Sequence, residues 1–150
     1  MKTLSGIQTG VAGEYFVAAE LSRRGYVASL TLRNTRGIDV LASNADATKS
    51  VGIQVKACKG TKADWMLNEK AETDSGTNLF YVFVMLPERG EPSYYVVPGT
   101  DVAESVRKSH GLWLKTPRRD GKQHSVTNTI RRFADLDGKY KDKWNLLGLD

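Results

Sequence analysis

The chain has 150 residues, 40% of them hydrophobic and 26% charged, the profile of one ordinary globular domain long enough to bury a sizeable core. No apolar run approaches the roughly 18 residues of a membrane span. The opening stretch Met1-Lys2-Thr3-Leu4-Ser5-Gly6 lacks an apolar signal core, and a lone cysteine, Cys58, excludes an internal disulfide framework, so the expectation is a cytoplasmic protein in a reducing compartment. The formal charge of +5, with a pI near 9.3, favours polyanionic partners, and the surplus lies in the C-terminal third.

Residues from about Ile7 to Arg24 read as an amphipathic helix. Ile7, Val11, Ala18 and Leu21 recur at helical spacing, widened by Ala12, Phe16 and Ala19. Glu14 takes the place in that series between Val11 and Ala18, where a carboxylate is costly to bury without a partner. Glu20 points away from the seam and reads as solvated. Arg23-Arg24-Gly25 ends the helix, with basic residues in the last turn and glycine at the cap.

Tyr26 to Leu32 reads as a first strand and Ile38 to Ala42 as a short second one. A polar hairpin loop over 43–50 leads to a third strand, Val51 to Ala57. Lys59 to Asp64 reads as a turn, Trp65 to Ala71 as a short helix, and Thr73 to Asn78 as another turn. Leu79 to Leu86 is a continuous apolar run that fits a buried strand. Tyr94 to Val97 is a fifth strand, and Asp101 to Ser109 looks helical, capped by Thr100 or Asp101. Gly111 to Gln123 is basic and irregular. The stretches Thr127–Phe133 and Lys139–Leu147 are weakly helical. No repeat, linker or low-complexity tract divides the chain.

One arrangement asks for a chemical reason. In a strand, residues i and i+2 share a face, so Gln54 and Lys56 stand together while Ile53, Val55 and Ala57 face the other way. Asp39 opens the preceding apolar run. The polar trio Asp39, Gln54 and Lys56 is the candidate site.

Set in this order, Glu14, Asp39 and Gln54-Val55-Lys56 resemble the PD-(D/E)xK nuclease superfamily. Gly13-Glu14-Tyr15-Phe16-Val17-Ala18-Ala19-Glu20-Leu21 followed by Arg24-Gly25-Tyr26 is similar to the first helix of archaeal Holliday-junction resolvases and their bacterial relatives. Gly37-Ile38-Asp39-Val40-Leu41 is similar to their Asp-bearing strand, and Ile53-Gln54-Val55-Lys56-Ala57 to their Glu-x-Lys strand. The resemblance covers roughly the first 60 residues and the strand at Leu79–Leu86. It implies a mixed α/β, restriction-endonuclease-like core in the order αβββαβ, with a central mixed sheet flanked by helices. The chain would then be a single domain, 1–150, with a basic C-terminal extension from about residue 110.

The activity so implied is metal-dependent hydrolysis of phosphodiester bonds, in DNA before RNA. Asp39 would be the central ligand of Mg²⁺ or Mn²⁺, with Glu14, the Gln54 side-chain oxygen and the Val55 carbonyl beside it. Lys56 would orient or deprotonate the attacking water, or neutralise the scissile phosphate; a lysine among acids stays charged, which favours the electrostatic role. The family pattern has Glu or Asp where this chain has Gln54. An amide oxygen still ligates a hard cation but brings no charge, so affinity should fall. Dimers are common in nucleases of that fold because two strands must be cut, and the sequence carries no direct sign of one.

Taken singly, each residue has a blander reading. Glu14 alone is as readily a seam carboxylate paired with an arginine or with backbone, Asp39 after Gly37 a turn residue, and Lys56 a solvated strand lysine. Arg36, Lys59, Lys62, Lys115, Arg118, Arg119, Lys122, Arg131 and Arg132 either run along a nucleic-acid backbone or form a solvated basic surface. His110 and His124 read as surface histidines, Cys58 as a half-buried structural thiol, and the aromatics as core or core-edge residues. Trp113, followed by Lys115, Arg118 and Arg119, is the exception to watch. Two other functions fit the same residues: a nucleic-acid-binding module of this fold that has lost turnover at Gln54, and a scaffold protein of a defence or mobile-element system.

Overall fold

A computed structural model of the protein describes residues 3–32, 37–74 and 76–150. The first helix, α1 (Gly6–Arg23), starts on a reciprocal cap. The Ser5 hydroxyl accepts from the Gln8 N–H at 3.2 Å, and the Gln8 side chain accepts from the Ser5 N–H at 2.9 Å. The buried stripe is Thr9, Gly13, Val17 and Leu21, rotated from the predicted one, and Ile7 is 73% exposed. Gly13 explains the rotation. A Cβ there would lie 2.6 Å from Ala57 Cβ and 3.4 Å from Val55 Cγ1, so this one glycine permits a helix–sheet approach that a larger side chain would block. Gly13→Ala is therefore expected to cost about 1–3 kcal/mol in urea unfolding and to reduce any activity that depends on the adjacent Glu14.

The central sheet has the order β1-β2-β3-β5-β6, where β1 is Val27–Leu30, β2 Val40–Ser43, β3 Ser50–Lys59, β5 Leu79–Leu86 and β6 Ser93–Pro98. All neighbours are antiparallel except β3 and β5, which run parallel with Gln54 opposite Tyr81 and Lys56 opposite Phe83. Beneath α1, Val17 and Leu21 pack with Val40, Ile53, Val55, Val82, Val84 and Val96, joined by Trp144, Leu147 and Leu149 from the end of the chain. The opposite face is covered by α2 (Gly99–Lys115) and a second, two-stranded sheet. Trp65, Tyr81, Phe83, Tyr95, Val106 and Phe133 form that core. Burial on both sides is why β5 reads as an unbroken apolar run. This is the expected class: a mixed α/β protein whose central mixed sheet is flanked by helices.

Several local expectations fail. Trp65–Ala71 is not a helix; β4 (Asp64–Asn68) occupies it, followed by a 3-10 turn at Glu69–Glu72. Its partner is β7 (Ile130–Ala134), inside a stretch that reads as weakly helical. Both strands alternate buried and exposed residues, but neither is long enough for its periodicity to separate strand from helix, and the partner that decides is remote in sequence. The parallel step from β3 to β5 is thus made by β4 and a 3-10 turn. The helix α2 continues to Lys115, through the start of the stretch expected to be irregular, and Lys139–Leu147 holds only a 3-10 turn at Trp144–Leu147. Among the described residues no helix is long and apolar enough to cross a membrane.

Candidate functional site

Asp39 sits just before β2, held from three directions. Its N–H donates to the Ile53 carbonyl at 2.8 Å, and its own carbonyl accepts from the Thr31 N–H at 3.0 Å. Its carboxylate Oδ2 accepts from the Val55 N–H at 2.7 Å. A strand neighbour's carbonyl would ordinarily take that amide. The carboxylate therefore closes the ladder where β2 begins and is fixed before any ligand arrives. The Thr31 hydroxyl donates to the Ile38 carbonyl at 2.6 Å and braces the approach.

Glu14, one residue beyond the Gly13 contact, is half-buried and faces Asp39 across a cleft of about 230 Å³ that Gly10, Val11 and Thr31 also line. The helix acid and the strand acid, far apart in sequence, share one opening. Gln54 and Lys56 do not line it. They stand on β3 to either side of Val55, on the face turned away from α1. The Gln54 Oε1 is buried without a hydrogen-bond partner. A buried acceptor in that condition is costly unless a donor or cation comes to it.

Tyr81, beside Gln54 in register, is nearly fully buried and its hydroxyl donates to Asp74 Oδ2 at 2.8 Å. Burial pushes its ionisation far up, and the Asp74 hydrogen bond and charge and the Asp39 charge add to it, so the phenol stays neutral and protonated. Sequence reading missed both residues, one inside an apolar run and the other in a turn. The available signal was a single tyrosine hydroxyl opposite a polar strand position.

Among the described residues no three or more His, Cys, Asp or Glu side chains are grouped to hold a metal ion. Around Asp39 there are instead two carboxylates, its own and that of Glu14, and the Val55 carbonyl, which leaves the strand on the same edge as its N–H. This all-oxygen set suits a hard divalent cation and carries two negative charges.

The basic candidates separate. Arg131 is 7% exposed, with its Nε bound to Glu72 and its Nη1 to the carbonyls of Asn128 and Ile130, so it is a structural arginine anchored inside the fold. Arg132 makes a two-pronged bond to Asp64 at 3.1 and 2.8 Å, and Lys62 lies 4.0 Å from the same carboxylate. Lys59 donates to the Leu4 carbonyl. Lys115, Arg118, Arg119 and Lys122 are exposed, and Arg36 lies outside the described residues. His110 and His124 stack on Trp113. Burial pushes the Cys58 thiol up, which keeps it protonated and unsuited to nucleophilic attack. Glu20 is not simply solvated: it binds Arg23 and Arg24, and the Arg23 hydrogen bond draws its carboxyl below the usual range.

No protein-family model matches the sequence, and no curated protein matches it. Solved structures do. The chain is similar to Hjc, a Holliday junction resolvase from the archaeal hyperthermophile Archaeoglobus fulgidus, at 14% identity and a TM-score of 0.53, over 94% of this chain and 97% of that one. It is similar to I-Ssp6803I, a bacterial homing endonuclease, at the same identity and TM-score, over 97% of this chain and 92% of that one. At this identity the likeness is one of architecture: the fold is restriction-endonuclease-like.

Proposed function

We propose that the chain is a metal-dependent endonuclease hydrolysing phosphodiester bonds in DNA, a single domain acting in the cytoplasm. The observation that carries this reading is the Asp39 carboxylate, anchored by the Val55 N–H in the cleft that Glu14 also lines. The two structural neighbours, a Holliday junction resolvase and a homing endonuclease, agree with it.

Asp39, Glu14, the Gln54 amide oxygen and the Val55 carbonyl would hold Mg²⁺ or Mn²⁺, which supplies Lewis acidity toward the phosphate oxygens. Asp39 keeps the donor set in register with β3. Lys56, on the same face of β3 as Gln54, brings an ammonium to the increasing charge on the phosphate. Tyr81, neutral and tied to Asp74, keeps the polar floor beside Gln54 from gaining a further negative charge.

The test is incubation of the purified protein with plasmid and with four-way branched DNA in Mg²⁺ or Mn²⁺. Cleavage is expected, and Lys56→Ala should lower it. Intact DNA under all conditions, or a Lys56→Ala rate equal to that of the unaltered protein, would sink the proposal.

Gln54 favours a second reading, a nucleic-acid-binding module of this fold with impaired turnover, which binds DNA in a salt-sensitive way without cutting it. Affinity for hard cations follows ligand charge, so Gln54→Glu is expected to tighten Mn²⁺ binding by about an order of magnitude. An isothermal titration indistinguishable from that of the unaltered protein would remove Gln54 from the donor set.

A further inference from the structure

We propose that the end of α2 and the turn after it form a second nucleic-acid contact, a subsite where one unpaired base enters a pocket beside Trp113 while the adjoining basic residues hold the flanking phosphates. The proposal rests on the nucleic-acid part of the function above but needs neither cation nor cleavage. None of the residues lining this pocket lines the Glu14–Asp39 cleft.

Of the three tryptophans, Trp65 and Trp144 are each 2% exposed and belong to the two cores. Trp113 belongs to neither and is half-buried near the surface. His124 stacks on its indole with ring centroids 3.8 Å apart, and His110 lies at 5.3 Å and near-parallel. His124 does not line the adjacent pocket; His110, Trp113, Ile130, Ser109 and Asn128 do. The pocket holds about 280 Å³, at the small end of ligand sites. That suits one planar ring and excludes a stacked base pair. Ile130 is half exposed there, so an apolar wall and a ring system stand open together.

Charge selects the occupant. Between Arg107 and Arg132 the basic residues are Arg107, Lys108, Lys115, Arg118, Arg119, Lys122, Arg131 and Arg132, and the acids amount to Asp120 alone. Arg107 and Arg131 are engaged with Glu72, and Arg132 with Asp64. Lys115, Arg119 and Lys122 carry no ion pair among the described residues, and Arg118 has only an exposed contact with Asp120 at 3.6 Å. The turn that presents them is built in advance. Arg118 N–H donates to the Lys122 carbonyl and Gly121 N–H to the Arg118 carbonyl, each at 2.9 Å, while Asp120 Oδ1 accepts from the Lys122 N–H. Gly121 supplies the positive φ the turn requires. Cations on a preformed turn next to an aromatic platform match a single strand, whose bases stack without sequence preference while its phosphates follow the cations.

The experiment titrates the intact protein in EDTA with a dT dodecamer and with an abasic strand of equal length, reading tryptophan fluorescence and anisotropy of a labelled strand. With the other two indoles buried, quenching by the dT strand reports Trp113. The dT strand is expected to bind more tightly than the abasic strand. Trp113→Ala should weaken dT binding by about 5- to 150-fold, the equivalent of one stacked base, and leave abasic binding unchanged, whereas Trp113→Phe retains most of the affinity. Independently of that ring, the exposed double variant Arg119→Ala/Lys122→Ala should flatten the slope of log K against log salt by about 1.4. Equal binding of dT and abasic strands, or a folded Trp113→Ala protein with unaltered affinity, overturns the subsite and leaves the nuclease reading standing. No binding of either strand at low salt overturns the subsite likewise, and cleavage of plasmid or branched DNA in Mg²⁺ or Mn²⁺ then decides the nuclease reading separately.

Discussion

Asp39→Asn is expected to reduce DNA cleavage by about 10²–10³-fold, the usual loss for one preorganised charge-stabilising group, while leaving the thermal midpoint nearly unchanged. On the proposed reading the carboxylate has two roles, and this variant separates them. As a ligand it would bring charge to the cleft it shares with Glu14. As an acceptor it satisfies the Val55 N–H at 2.7 Å where β2 begins. Asparagine keeps an oxygen in the second position and gives up the charge required for the first. Asp39→Ala gives up both, so it should match the asparagine variant in cleavage and also lose about 1–3 kcal/mol of stability from the stranded amide. Plasmid-cleavage rates beside urea denaturation of both variants check this. An asparagine variant that cuts at the native rate removes Asp39 from the chemistry, and equal stability of the two variants removes its structural role.

Phe83→Ala is expected to be the most damaging core substitution, about 3–5 kcal/mol against a total stability of about 5–15 kcal/mol. Phe83 is completely buried and lies face to face with Phe133, centroids 4.5 Å apart and planes within 10°, with Trp65 at 5.0 Å and Tyr81 at 5.5 Å. It is where the small β4–β7 sheet meets the central one, and the Trp65 indole N–H donates to the Val84 carbonyl at the same junction. Removing the ring leaves a hole between two layers that touch mainly through aromatic side chains. A fall in the urea midpoint with a red shift of tryptophan emission would show the small sheet loosening. Met66→Ala, on the same small sheet but 62% exposed, should stay within about 0.5 kcal/mol. If the two variants unfold alike, the junction contributes little.

Legibility followed burial. β5 was plain because both its faces are covered, and β3 because its apolar residues alternate against Gln54 and Lys56. Glu14 stood out as an acid within a helical apolar series, and Asp39 as an acid at the mouth of a strand. The phase of α1 was not legible, since hydrophobicity points to Ile7 and Val11 while the contact is set by glycine at position 13, a residue with no hydrophobic signal. β4 was misread because its strand character comes from pairing with β7. Arg131 looked like its neighbour Arg132, yet alternation along β7 sends one inward to Glu72 and the other outward to Asp64. Tyr81 and Asp74 could not be assigned from composition, because the place of Tyr81 beside Gln54 depends on the parallel β3–β5 register and its bond to Asp74 on the path of the turn before β5.

The pairing of Asp64 with Ala134 also governs the order in which the molecule is made. During synthesis α1 through β3 emerge first and can close a helix-on-hairpin unit from local contacts. Trp65 and Leu67 must then wait, with their ladder edge unmatched, until the segment from Ile130 to Ala134 has left the ribosome. Closing so long a loop is a slow, entropically unfavourable step. The half that carries Glu14 and Asp39 can begin to form early, but Trp144, Leu147 and Leu149 complete its core only in the same late stretch that brings β7 to shield Phe83, so the interval before both is when the nascent protein is most exposed to aggregation.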